Sequence, residues 1–123
     1  MSDFTCDNII MCGDLNFVFN LACDKIGENP RTNFRARNEC LTLMTTYNLV
    51  DIWRDRNPMS KSYTWSSNIT PGIHCRLDFF LISRHLSQAV TSMSQSPGIQ
   101  SDHVMIFLSL KFSNEKRGQV IGN

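Results

Sequence analysis

The sequence has no Cys-x-x-Cys pair, no internal repeat, no low-complexity tract and no large excess of charge of either sign. It also lacks any apolar run near the roughly 20 residues that a membrane helix requires. Each absence removes a class of protein. The five cysteines, Cys6, Cys12, Cys23, Cys40 and Cys75, are odd in number. With no paired spacing they argue for free thiols in a reducing compartment, against a disulfide frame or a zinc site. The net charge is only +1. A strongly basic surface would by itself point to nucleic acid; without one, DNA is left open and not implied. The opening residues "MSDFTCDN" show no basic stretch followed by an apolar one, so no secretory signal is expected. The expected location is intracellular, nuclear or cytoplasmic, away from membranes.

What is present suffices for one small domain. The chain has 123 residues, of which 41% are hydrophobic and 19% charged, a soluble, globular balance. A first strand is expected from about Asn8 to Cys12, followed by a Gly-Asp turn and a short apolar piece, "NFVFNLA". The stretch "CDKIGENPRTN" is rich in breakers and reads as a loop. From about Asn33 to Tyr47, Phe34, Cys40, Leu41, Met44 and Tyr47 recur at helical spacing, with Arg35, Arg37 and Glu39 largely opposite. Thr32 or Asn33 can cap this helix and Asn48 can end it.

Further along, "LVDIW" and "SYTWSS" carry strand-like residues, and Cys75 to Ser83 and Val104 to Phe112 are strong strands. Ser83 can cap a short helix through about Val90, and "TSMSQSPGIQ" reads as a loop or weak strand. Strands and helices interleave, which is the mixed α/β class. The strands are apolar at nearly every position, so sheets covered on both faces are expected.

Three strands carry polar groups at their ends. Asp14 and Asn16 follow the first, Asp78 lies inside "RLDFFL", and Ser101-Asp102-His103 precedes the last. A carboxylate within an apolar strand is costly without a partner, and His103 is the candidate partner for Asp78. Phosphodiester hydrolysis uses such a set. A divalent cation neutralises charge on the phosphoryl oxygens and takes carboxylate ligands. One carboxylate holds or deprotonates water, and a donor contacts the phosphate. In that scheme Asp102 serves the metal, Asp14 the water, Asn16 its orientation and His103 the phosphate.

The motifs "GDLN" (Gly13 to Asn16), "RLDFFLIS" (Arg76 to Ser83) and "SDH" (Ser101 to His103) resemble, in order, the three late motifs of the endonuclease/exonuclease/phosphatase superfamily. That superfamily includes abasic-site endonucleases, DNase I-like nucleases and the endonuclease domains of LINE-type retrotransposons. The resemblance covers nearly the whole chain but only the C-terminal half of the family domain. It implies that residues 1–113 form a partial domain of the DNase I-like fold, a four-layered β-sandwich flanked by helices. By the same resemblance Asp14, Asn16, Asp78 and His103 are catalytic positions, Asp102 lies at the metal site, and the cofactor is Mg²⁺ or Mn²⁺, bound weakly at most by this chain.

The stretch from Tyr47 to Ser67 resembles the retrotransposon subgroup, which implies DNA as substrate and a reverse transcriptase domain in the parent polyprotein. Abasic-site enzymes place a tryptophan directly before "RLD"; Cys75 stands there, so abasic-site specificity is not expected. The family's early asparagine and metal-binding glutamate have no counterpart here; Glu28, Glu39 and Glu115 lie in the wrong context. Little or no activity of the chain alone is therefore expected.

Residues 114–123 read as a disordered or frame-shifted tail, because Val120 to Asn123 can be encoded by bases that spell Gly-Tyr-Trp-Lys one base earlier, a run common after "EKRG" in such elements. The alternatives are a small-molecule phosphoesterase of the same fold, inositol phosphatase-like, and a non-catalytic fragment. His74 and His85 read as surface histidines, and Trp53 and Trp65 as packing residues.

Overall fold

The structure is a computed structural model that describes residues 8–27, 33–98 and 101–112. The expected tail at 114–123 and Cys6 lie outside the described residues. Among the described residues, the chain runs β1 (Ile10–Asp14), β2 (Lys25–Ile26), α1 (Phe34–Tyr47), β3 (Leu49–Asp51), α2 (Ile52–Arg56), β4 (Trp65–Ser66), β5 (His74–Cys75), β6 (Asp78–Ser83), a 3-10 helix (Arg84–Ala89), β7 (Val90–Pro97) and β8 (Val104–Leu110). No helix among them is long and apolar enough to cross a membrane.

Strand β6 organises the fold. It lies between β1 and β3, antiparallel to both. Side chains alternate across a strand, so an all-apolar strand must be covered twice. On one face Phe79 and Leu81 join Leu49, with Cys40 and Met44 of α1 packed over them. On the other, Ile82 joins Val50, Ile52, Leu86 and Val90, covered by Phe80 and by Met93, Leu108 and Leu110 of the β7–β8 hairpin. Helix, sheet and hairpin thus form successive layers. A second small sheet, ordered β2-β5-β4, flanks the end of the first at which β1 ends and β6 begins.

Helix α1 ends where its flanking amides direct. The Asn33 side-chain oxygen accepts a hydrogen bond from the Ala36 N–H at 3.0 Å. Asn48 takes a left-handed conformation at φ 55° and donates its own N–H to the Met44 and Thr45 carbonyls. Asparagine tolerates that conformation with little strain. Replacing Asn33 with alanine is expected to cost about 1 kcal/mol, read by urea denaturation followed at helical ellipticity.

Several segments differ from the sequence reading for definite reasons. The strand expected from Cys75 to Ser83 is interrupted, because Arg76 leaves the ladder to meet buried carboxylates. Of the two readings of the stretch from Thr91, loop or weak strand, the strand holds: residues 91–97 are part of β7, paired with β8. Ser83 does not cap the 3-10 helix through its side chain; its hydroxyl accepts the Ile9 N–H at 2.8 Å instead. Coverage on both faces fails for β8, where Met105 and Phe107 remain 48% and 47% exposed. Nothing among the described residues packs over that outer face. Phe34 and Tyr47 are also exposed, since only the middle of α1 reaches the sheet. Arg37, expected on the solvent side, donates through Nε to the Phe19 carbonyl at 2.9 Å.

Candidate functional site

Strand pairing brings two carboxylates together. Asp14 closes β1 and Asp78 opens β6, and the two are directly opposed in the antiparallel register. Opposed residues point to the same face with their Cβ atoms about 5 Å apart, so two like charges there repel. His103, just ahead of β8, answers that repulsion. Its Nδ1 lies 2.8 Å from Oδ2 of Asp78 and its Nε2 lies 3.5 Å from Oδ2 of Asp14. The first is a hydrogen bond; the second is an ion-pair distance.

Burial pulls the His103 imidazole towards its neutral form. The hydrogen bond that the ring donates to Asp78 and the charges of Asp78, Asp14 and Asp102 outweigh that, so the net shift is above the ordinary 6.5. Asp14 is shaped by the turn that follows it. Its Oδ1 accepts the Asn16 N–H at 2.9 Å, and Asn16 sits at φ 58°. Gly13 supplies a φ of 137°, a region that side-chain-bearing residues rarely adopt. Asn16 is thereby held exposed, two residues from the carboxylate.

Asp102 approaches from a third direction. Its Oδ2 accepts the Trp65 indole N–H at 2.8 Å and its backbone carbonyl accepts the Ser66 N–H at 3.1 Å. Ligand atoms of Asp14, Asp78 and His103 lie within 4.8 Å of one another; Asp102 stands outside that trio but close enough to act on the imidazole. Three carboxylates around one imidazole make a locally negative surface of hard oxygen donors. That donor set fits Mg²⁺ or Mn²⁺ better than a softer metal.

The sequence reading overlooked the groups beneath this cluster. The Thr64 hydroxyl oxygen accepts the N–H groups of Leu77 at 3.0 Å and Asp78 at 3.2 Å, fixing the start of β6. Behind it, Asp24, Asp51 and Arg76 are all buried. Arg76 grips both carboxylates in two-pronged fashion, with contacts of 2.8 and 3.3 Å to Asp24 and 3.2 and 2.7 Å to Asp51. Burial alone lowers its pKa, and hydrogen bonds and charges from Asp51 and Asp24 carry it above the usual value. Its guanidinium is sandwiched 5.1 Å from the Trp53 ring centre and 4.6 Å from that of Phe79. Arg54 adds a second cation to Asp24 and binds the carbonyls of Asn57, Pro58 and Ser60, tying down the loop that leads to β4. An arginine inside an apolar strand was the one available signal for this network; nothing marked Asp24. Trp53 therefore packs, as read from the sequence. His85 is exposed, whereas His74 is half-buried and bonded to the Ser66 hydroxyl at 2.7 Å.

No family model matches the chain, and no curated protein matches it. Among solved structures, the crystal structure of an AP endonuclease from Leishmania major is similar, with a TM-score of 0.69 and 23% identity, over 85% of this chain and 35% of that one. That likeness shows the fold: the chain has the DNase I-like α/β architecture of that nuclease. It spans about a third of the neighbour's length.

Proposed function

We propose that this chain is part of a divalent-metal-dependent phosphodiesterase, a DNA endonuclease of a LINE-type retroelement that nicks target DNA. The observation that carries the reading is His103 held between the paired carboxylates Asp14 and Asp78, with Asp102 beside it, on a nuclease fold. The Asp14 carboxylate takes the proton of the attacking water, and Asn16 orients that water. His103, its Nδ1 bonded to Asp78, presents Nε2 to the phosphoryl oxygen as charge builds there. Asp102 is a ligand for Mg²⁺ or Mn²⁺, which when bound neutralises phosphoryl charge. The three late motifs support the superfamily; the Tyr47–Ser67 stretch, and Cys75 where abasic-site enzymes of the family place a tryptophan, support the retroelement assignment, and with it a reverse transcriptase domain in the same polyprotein.

By itself this chain is expected to nick DNA weakly or not at all. A cation such as Mg²⁺ needs several oxygen ligands in fixed geometry, and the family's upstream glutamate has no counterpart here. Supercoiled plasmid incubated with the chain and Mg²⁺ should stay intact. Robust turnover abolished by Asp14→Ala would overturn that expectation. In a longer polypeptide of the same element, plasmid nicking without phosphoinositide hydrolysis is expected. There Asp14→Ala should cost about 10²- to 10⁴-fold, the span of general-base contributions. Phosphoinositide hydrolysis in place of nicking would refute the DNA assignment.

A further inference from the structure

We infer that Trp65 is a positioning residue that holds the Asp102 carboxylate in its cation-binding orientation. This rests on the phosphodiesterase reading, in which Asp102 is a metal ligand. The side chain of Asp102 is exposed, and an exposed aspartate ordinarily samples several rotamers. Here its Oδ2 accepts the Trp65 indole N–H at 2.8 Å. A hydrogen bond to an ionised carboxylate is among the stronger kinds and restricts the rotamer. Among the described residues only Oδ2 of Asp102 is hydrogen-bonded, so an oxygen remains for a cation.

The indole is itself firmly placed. Trp65 pairs with Cys75 in the β4–β5 ladder and forms an isolated antiparallel bridge with His103. Its neighbours tie the same segments: the Thr64 carbonyl accepts the Val104 N–H at 2.8 Å, and the Thr64 hydroxyl oxygen accepts the N–H of Asp78. Residues 64–66 thus act as a clasp between the start of β6 and the 102–104 segment. The backbone bonds of that clasp need no particular side chain at position 65. The indole N–H does, because it is the group of Trp65 that donates to the Asp102 carboxylate. Groups that orient a metal ligand typically change metal affinity by ten- to a hundred-fold when removed.

The chain contains only two tryptophans, so their indole N–H resonances are separable in a ¹⁵N-correlated NMR spectrum. Trp53, packed against Arg54 and Arg76, is the internal control. On titrating the full chain with Mg²⁺, the Trp65 indole and the Asp102 and His103 amides should shift, and the Trp53 indole should not. Trp65→Phe, which keeps the ring and the backbone pairing, should raise the Mg²⁺ concentration at half-response by about ten-fold. An unchanged midpoint in a natively folded Trp65→Phe chain would overturn the positioning role and leave the function reading intact. If the variant loses the native spectrum, the wild-type indole decides: no response from Trp65 while the Asp102 amide shifts would overturn the inference. Absence of any Mg²⁺-dependent shift at residues 14, 78, 102 and 103 would overturn the inference that Asp102 of this chain is held ready for a cation, and would leave the reading of the longer polypeptide to its nicking assay.

Discussion

Replacing Arg76 with alanine should remove about 3–5 kcal/mol from the unfolding free energy, the usual loss when one partner of a buried ion network is deleted. The residue is 2% exposed and faces two buried aspartates, one of them fully enclosed. Without the guanidinium, Asp24 keeps Arg54, but among the described residues Asp51 keeps no cation and only its cap to the α2 backbone N–H. The residual carboxylates must then be hydrated by water entering the core or be protonated. Against the roughly 5–15 kcal/mol that stabilises a typical domain, such a loss leaves little folded chain. Lysine is not a conservative replacement, because one ammonium cannot reproduce paired contacts to both carboxylates or stack between two rings. Urea unfolding monitored at Trp53, whose ring lies over the guanidinium, measures the effect. A loss under 1 kcal/mol for Arg76→Ala would mean that the network contributes little beyond its desolvation cost.

Asp78→Asn should lower the titration midpoint of His103 and reshape the pH dependence of stability. In the wild type the folded-state pKa of His103 lies above its ordinary 6.5. A folded pKa raised above the unfolded value stabilises the protein below the unfolded pKa. That contribution is lost as pH rises through the folded pKa. The stability advantage of wild type over Asp78→Asn should therefore be largest below pH 6.5. It should shrink on the alkaline side. There the imidazole is neutral and the substitution also relieves repulsion between the opposed carboxylates at positions 14 and 78. Imidazole NMR signals in chelator-treated buffer report the midpoint. A His103 midpoint unchanged by Asp78→Asn would show that the 2.8 Å contact does not control the ring.

Features that depend on neighbours in sequence were legible beforehand. Both ends of α1 follow from Asn33 and Asn48, whose side chain and backbone tolerance act within four residues. The double burial of β6 follows from "DFFLIS", a run apolar on both faces. The polar ends of the strands were equally visible as Asp14, Asp78 and Asp102-His103. Their geometry depends on strand pairing: Asp14 opposes Asp78 because β1 runs antiparallel to β6 in one particular register. Neither segment encodes that register alone, and a slip by one residue would send one carboxylate to the other face.

Read along the chain, the residues set where α1 begins and ends, which strand is buried on both sides, and which polar residues sit at strand ends. These are matters of local propensity, capping and side-chain periodicity. The packing of the layers settles instead that Arg76 meets Asp24 and Asp51, that Trp65 meets Asp102, and that, among the described residues, the outer face of β8 is uncovered. The partners in those contacts lie 52, 25 and 37 positions apart along the chain. Which of many charged and aromatic residues becomes a neighbour at such separations is set by how the layers pack, and a pattern read along one strand does not contain it.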